Sequence, residues 1–128
     1  MRVREAMSTM TLTVGPEHTL RQTAKLMSTR RVGSAVVVDP DRSGVGIITE
    51  RDILNAIGAG LDPDVARTAD HLTVDVVYAR PDWTVHEAAA AMVRGGFRHL
   101  VVLEDDDVLG VISVRDILRV WSQDQVAA

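Results

Sequence analysis

Apolar residues along this chain follow two periods in turn, and the order of those periods predicts its elements. Thr11-Leu12-Thr13-Val14 alternates as a short strand does, and Gly15-Pro16-Glu17-His18 turns the chain out of it. Thr19-Leu20-Arg21-Gln22 has the form of a capping box, in which two side chains satisfy each other's backbone N–H groups, so a helix is expected to start there. Leu20, Ala24 and Met27 then keep spacings of four and three, which gives that helix one apolar face. Ala35-Val36-Val37-Val38 and Val45-Gly46-Ile47-Ile48 are apolar on both faces and predict strands covered on both sides. A second helix runs through Ile53, Leu54 and Ile57. The first half thus reads strand, helix, strand, strand, helix.

The second half repeats it. Gly46-Ile47-Ile48-Thr49-Glu50-Arg51-Asp52-Ile53-Leu54 returns 64 positions later as Gly110-Val111-Ile112-Ser113-Val114-Arg115-Asp116-Ile117-Leu118. Upstream, Pro16, Thr19, Ala24, Met27 and Val36-Val37 recur 65 positions later as Pro81, Thr84, Ala89, Met92 and Val101-Val102. One residue is missing from the second copy between these blocks, where Asp39 to Gly44 faces Glu104-Asp105-Asp106-Asp107. Length changes belong in surface turns, so the slip locates a hairpin loop. Thr84-Val85-His86-Glu87 supplies a second capping box, and Leu100 to Leu103 and Val108 to Ile112 a second pair of apolar strands. Gly58 to Asp64 forms a connector, with a short helix expected between Val65 and Leu72. The expected organisation is α/β, with residues 1–60 and 61–128 as two halves of one compact body.

Composition narrows the function classes. A chain of 128 residues, 46% hydrophobic, can bury one substantial core. A net charge of −4 argues against nucleic acid, whose phosphates require a basic face, and the four aromatic residues cannot build an extensive base-stacking platform. No cysteine is present, which removes disulfides, thiolate metal sites and cysteine nucleophiles. No apolar run reaches membrane-spanning length and the amino terminus lacks a signal-peptide core, so no membrane partner is expected and the location is read as cytoplasmic. His18, His71, His86 and His99 show no metal-ligand spacing, and Glu104 to Asp107 lacks the spaced ligands of a calcium loop. No catalytic or phosphate-loop motif occurs.

The chemistry that remains sits in the repeated Gly-x-x-Thr/Ser-x-x-Asp. A glycine in the strand lets a ligand approach the backbone, Thr49 or Ser113 stands at a helix start, and Asp52 or Asp116 follows on the first turn. A carboxylate there accepts hydrogen bonds from neighbouring hydroxyls, which is what a ribose presents. The same spacing also caps a helix by itself, and the two roles can coexist.

A duplicated β-α-β-β-α unit carrying this hexad in both copies resembles the CBS domain, named for cystathionine β-synthase, and two in tandem resemble a CBS pair, or Bateman module. The resemblance covers about Val3 to Leu118. It implies two repeats packed about a pseudo-two-fold axis with two ligand clefts between them. One cleft would combine Thr49 and Asp52 with Leu72, Val77, Phe97, Arg98 and His99; the other would combine Ser113 and Asp116 with Met7, Leu12, Val32, Gly33 and Ser34. Basic residues just before the second strand contact phosphate in nucleotide-binding members, and here only Arg98-His99 offers them, which makes the Asp52 cleft the better candidate for a phosphorylated adenosine. Arg51 and Arg115 could lean toward phosphate or remain solvated.

The expected function is a non-catalytic regulatory sensor that requires no cofactor and binds AMP, ADP, ATP or S-adenosylmethionine. Its expected partners are a second copy of itself, since the family associates into flat dimers through helices, and a regulated protein. Ile53, Leu54, Ile57, Ile117, Leu118, Val120 and Trp121 suffice to core two helices and leave some over for that partner copy. The alternative is a constitutive dimerisation scaffold with vestigial clefts.

Overall fold

The computed structural model describes residues 1–42, 44–73 and 76–127, with side chains described as far as Gln123. In chain order the elements are α1 (Val3–Ala6), β1 (Thr13–Val14), α2 (Leu20–Arg30), β2 (Ser34–Val37), β3 (Gly46–Thr49), α3 (Glu50–Gly58), a 3-10 turn (Thr68–Asp70), β4 (Tyr78–Ala79), α4 (Val85–Gly95), β5 (His99–Glu104), β6 (Asp107–Ser113) and α5 (Val114–Ala127). Two three-stranded sheets result, ordered β1-β2-β3 and β4-β5-β6, each with its first pair parallel and its second antiparallel. The β-α-β-β-α order expected in each copy is therefore the order observed.

The chain divides into one unit of Thr11–Val76 and a second made of Met1–Met10 together with Val77–Ala128. This differs from halves at 1–60 and 61–128, because the leading segment of each copy joins the other copy's sheet. Ser8 exchanges two backbone hydrogen bonds with Val111 on β6, at 2.9 and 3.0 Å. Thr73, 65 positions on, makes the same two bonds with Ile47 on β3, at 2.9 and 3.0 Å. Just before them, the Val3 and Thr68 N–H groups donate to the Trp83 and His18 carbonyls, each at 2.8 Å. An open sheet edge carries unpaired backbone groups, and both sheets use these segments to cover one.

The helix starts follow the sequence. Thr19 Oγ1 accepts from the Gln22 N–H at 3.1 Å and Gln22 Oε1 accepts from the Thr19 N–H at 2.9 Å, completing the capping box. Thr84 Oγ1 likewise accepts from the Glu87 N–H at 3.0 Å. Helix α2 ends on Arg31 in the left-handed region (φ 57°), whereas α4 ends on Gly96 (φ 70°), the residue that adopts that conformation without a Cβ clash. The cores are aliphatic, with Leu20, Met27, Val37, Ile48 and Ile53 in the first unit and Val3, Met92, Leu100, Val102 and Ile112 in the second.

The one-residue deletion lies in the hairpin. Corresponding pairs are Val37↔Gly46 and Val102↔Gly110, so the second connection is one residue shorter. It closes tightly through Asp105 (φ 51°) and Asp106 (φ 70°), both in the left-handed region as a two-residue I′ turn requires, with a bulge after Val102. Ser43, in the longer loop, lies outside the described residues. The connector holds its expected short helix as the 3-10 turn, and the exposed pairs Arg21–Asp64 and Arg67–Glu17 link it to the α2 end of its unit. Exposed pairs of this kind contribute at most about 1 kcal/mol.

Candidate functional site

The hexad ends each sheet and starts a helix. β3 delivers Thr49 as the N-cap of α3, and Asp52 follows on the first turn. Thr49 donates its N–H to Asp52 Oδ2 at 2.8 Å and its hydroxyl to the same oxygen at 3.1 Å, while Thr49 Oγ1 accepts from the Asp52 N–H at 3.3 Å. Ser113 and Asp116 reproduce this at the start of α5, with distances of 2.8, 3.0 and 3.2 Å. The capping role is thus met in both copies, and it uses Oδ2 alone.

The other oxygen separates the two copies. Asp116 Oδ1 accepts from Arg119 Nη2, which also donates to the Ala6 carbonyl at 3.5 Å, and Asp116 is only 7% exposed. Position 55, equivalent to 119, is asparagine, and among the described residues no donor reaches Asp52 Oδ1. An ionised carboxylate offers about four acceptor positions. Two at each aspartate go to the cap, so Asp52 retains two and Asp116 retains one.

Of the remaining expected site residues, Leu12, Val32, Gly33, Ser34 and Leu72 lie in the unit of Asp52, and Met7, Val77, Phe97, Arg98 and His99 in the unit of Asp116. Each pre-strand segment lies beside its own unit's motif. The Gly33 carbonyl accepts from the Glu50 N–H at 3.0 Å and Ser34 pairs with Thr49; the Arg98 carbonyl accepts from the Val114 N–H at 2.9 Å and His99 pairs with Ser113. Arg98 is exposed and His99 half-buried. Leu12 is buried in its unit's core, against which Val32 and Leu72 pack; Met7 and Phe97 pack against the other core. Val77 is exposed.

The glycines of the hexad serve a different neighbour from the one expected. A Cβ at Gly110 would stand 2.2 Å from the Ser8 carbonyl oxygen, and one at Gly46 would stand 2.6 Å from Leu72 Cδ1 and 3.1 Å from the Thr73 carbonyl oxygen. The close approach there is made by the protein's own leading segments. A cavity of about 120 Å³ lies at the opposite, hairpin end of β3 from Thr49, lined by residues including Pro16, Val37, Asp39, Arg42 and Leu72. The site residue that sequence reasoning missed is Arg119; its signal was the Asp116-x-x-Arg119 spacing, which places the two side chains on one helix face.

No helix among the described residues is long and apolar enough to cross a membrane. On α3 and α5 the equivalent pairs Leu54, Ile57 and Leu118, Trp121 are all at least half exposed. Trp121, among the apolar residues expected to core two helices and leave some over for a partner copy, is 60% exposed within the chain.

Comparison with known proteins gives consistent matches. The CBS domain model matches residues 3–59 and 69–123. An uncharacterised 17.7 kDa protein of Acidianus ambivalens is 36% identical over 120 residues, covering 92% of this chain and 71% of that protein. This chain covers only 43% and 57% of two further relatives. A putative signal-transduction protein with CBS domains from Burkholderia ambifaria superimposes with a TM-score of 0.90 at 27% identity, covering 98% of this chain and 96% of that one. A CBS domain protein from Pyrobaculum aerophilum complexed with AMP gives 0.84 at 28% identity, with full coverage of both chains.

Proposed function

The chain belongs to the CBS domain family, and on that premise we propose that it is a regulatory module that binds an adenosine-type ligand and performs no catalysis. The observation that carries this reading is Asp52: a carboxylate fixed by Thr49 through one oxygen, with the other oxygen open to donors. A ribose diol supplies two hydroxyl donors, matching the two acceptor positions that remain. The AMP complex of the similar Pyrobaculum aerophilum protein supports this ligand class. Arg98, with a fork geometry suited to phosphate oxygens, is the proposed phosphate donor, and His99 stands beside it.

The module signals by changing its shape or its affinity for a regulated protein, and it assembles as a homodimer. The exposed Leu54, Ile57, Leu118 and Trp121 support the dimer, because large apolar and aromatic side chains left in water favour burial against a partner. Sedimentation is expected to give a dimer at micromolar concentration, and a monomer with and without ligand would refute it.

A ligand that binds only the folded chain raises its melting temperature. Thermal shifts with AMP, ADP, ATP, S-adenosylmethionine and adenosine are therefore expected to show stabilisation by at least one, abolished in Asp52→Ala. Absence of any shift across the series would favour the scaffold reading instead.

A further inference from the structure

We propose that Arg119 is the residue that decides which carboxylate takes a ribose, closing Asp116 to a vicinal diol while Asp52, with Asn55 at the equivalent position, stays open. This rests on the reading that an adenosine-type ligand is held through its ribose, and it goes beyond that reading by assigning specificity to a residue outside the hexad.

Both aspartates have identical caps, so the cap cannot distinguish them. The difference is one helical turn further on. Arg119 lies on the same face of α5 as Asp116, and its guanidinium spans Asp116 Oδ1 and the Ala6 carbonyl at the end of α1. Two anchors hold it better than one, since a second hydrogen bond to a fixed carbonyl limits the rotamers that the arginine would otherwise sample. With the cap occupying two acceptor positions and Arg119 a third, Asp116 can accept one hydroxyl of a ribose but not both.

Binding a diol there requires displacing the guanidinium from a carboxylate that is 7% exposed. That exchanges a cationic donor for a neutral hydroxyl on the same carboxylate and leaves the Arg119 guanidinium without its counter-charge. Asp52 demands no such exchange. Nor does Arg119 carry the fold: its side chain is 53% exposed, so its replacement leaves no cavity.

The test is calorimetric titration of the full chain with adenosine and 2′-deoxyadenosine. The wild-type chain is expected to show one adenosine event per chain, weakened for the deoxy ligand. Arg119→Asn, which copies the Asp52 turn, is expected to add a second adenosine event, whereas Arg119→Lys, which keeps a cationic donor, is expected to add none. The reciprocal Asn55→Arg is expected to weaken the first event about tenfold or more, the scale of one charge-assisted hydrogen bond. Circular dichroism melting confirms that each variant folds, and Asn55→Arg carries the test alone if Arg119→Asn does not.

Two equal events in the wild-type chain, or titrations unchanged by both Arg119→Asn and Asn55→Arg, would overturn the role of Arg119 while leaving ligand binding intact. Absence of adenosine binding in every form would overturn ribose recognition itself, and this role with it.

Discussion

The unit of Asp52 and the unit of Asp116 share one order of elements and strand pairings but differ in chemistry, and the contrast separates what a duplicated scaffold must keep from what it is free to change. Both keep the parallel-antiparallel sheet, the Thr/Ser–Asp cap and the two-bond bridge that covers β3 or β6. All of these satisfy backbone groups, so loss in either copy leaves buried N–H or C=O groups unpaired. The changes fall on side chains. Thr23 and Thr68 form a buried hydroxyl pair at 2.9 Å where the other unit places Ala88 and Val3. Asn55 stands where the other unit has Arg119.

The two strand glycines sharpen the comparison most. Gly110→Ala drives its Cβ into the carbonyl of Ser8, backbone already tied to Val111 in both directions, so it cannot move without breaking the bridge. The expected loss is about 3 kcal/mol or more. Gly46→Ala first meets the end of the Leu72 side chain, which can rotate, so about 1–3 kcal/mol is expected. Urea denaturation measures both, and an equal or larger loss at Gly46 would break the distinction.

The aspartates divide binding from stability. Asp116→Ala removes the link between Ser113 and Arg119 from a buried position, with an expected cost of about 2–3 kcal/mol. Asp52→Ala loses only the cap, about 0.5–2 kcal/mol, and abolishes adenosine binding. Unchanged adenosine affinity in both variants would leave capping as their only role.

Arg98→Ala tests the phosphate donor. AMP affinity is expected to fall about ten- to hundredfold, the range for hydrogen bonds to a charged group, with adenosine almost unaffected. Equal losses for the two ligands, or none, would make Arg98 a solvated surface residue.

The threonine pair gives the smallest net effect. Thr68→Val alone strands the Thr23 hydroxyl at a fully buried position, costing about 1–3 kcal/mol, whereas Thr23→Ala with Thr68→Val copies the other unit and is expected to fall within about 1 kcal/mol of wild type. A double variant as damaged as the single one would show that the units differ in shape there as well as in chemistry.

Much of this was local enough to read along the chain. The capping box at Thr19, the hydroxyl cap at Thr84, the two-sided apolar strands and the Thr49–Asp52 and Ser113–Asp116 turns are short-range patterns that the structure reproduces, although at Thr84 only the hydroxyl half of the expected box is formed. The position of the deletion followed from the register of the repeat, since only a turn absorbs a lost residue without moving the strands it joins. Arg119 was legible only in spacing. Position 119 looks like any exposed helix position until the structure shows its guanidinium on Asp116 and the Ala6 carbonyl, 113 residues away in sequence.

What the sequence by itself determined is the repeated unit, its element order and its capped carboxylates, because these depend on residues a few positions apart. What only the tertiary structure decided is where the leading segments go and what the strand glycines accommodate. Residues 6–8 and 71–73 stand at equivalent places in the two copies, and β3 and β6 present nearly the same edge, so no local pattern states which segment covers which strand. Packing against the completed core makes that choice. Met7 settles on the core of the Asp116 unit and Leu72 on that of the Asp52 unit, and the glycines beneath admit the backbone of those segments because they carry no Cβ.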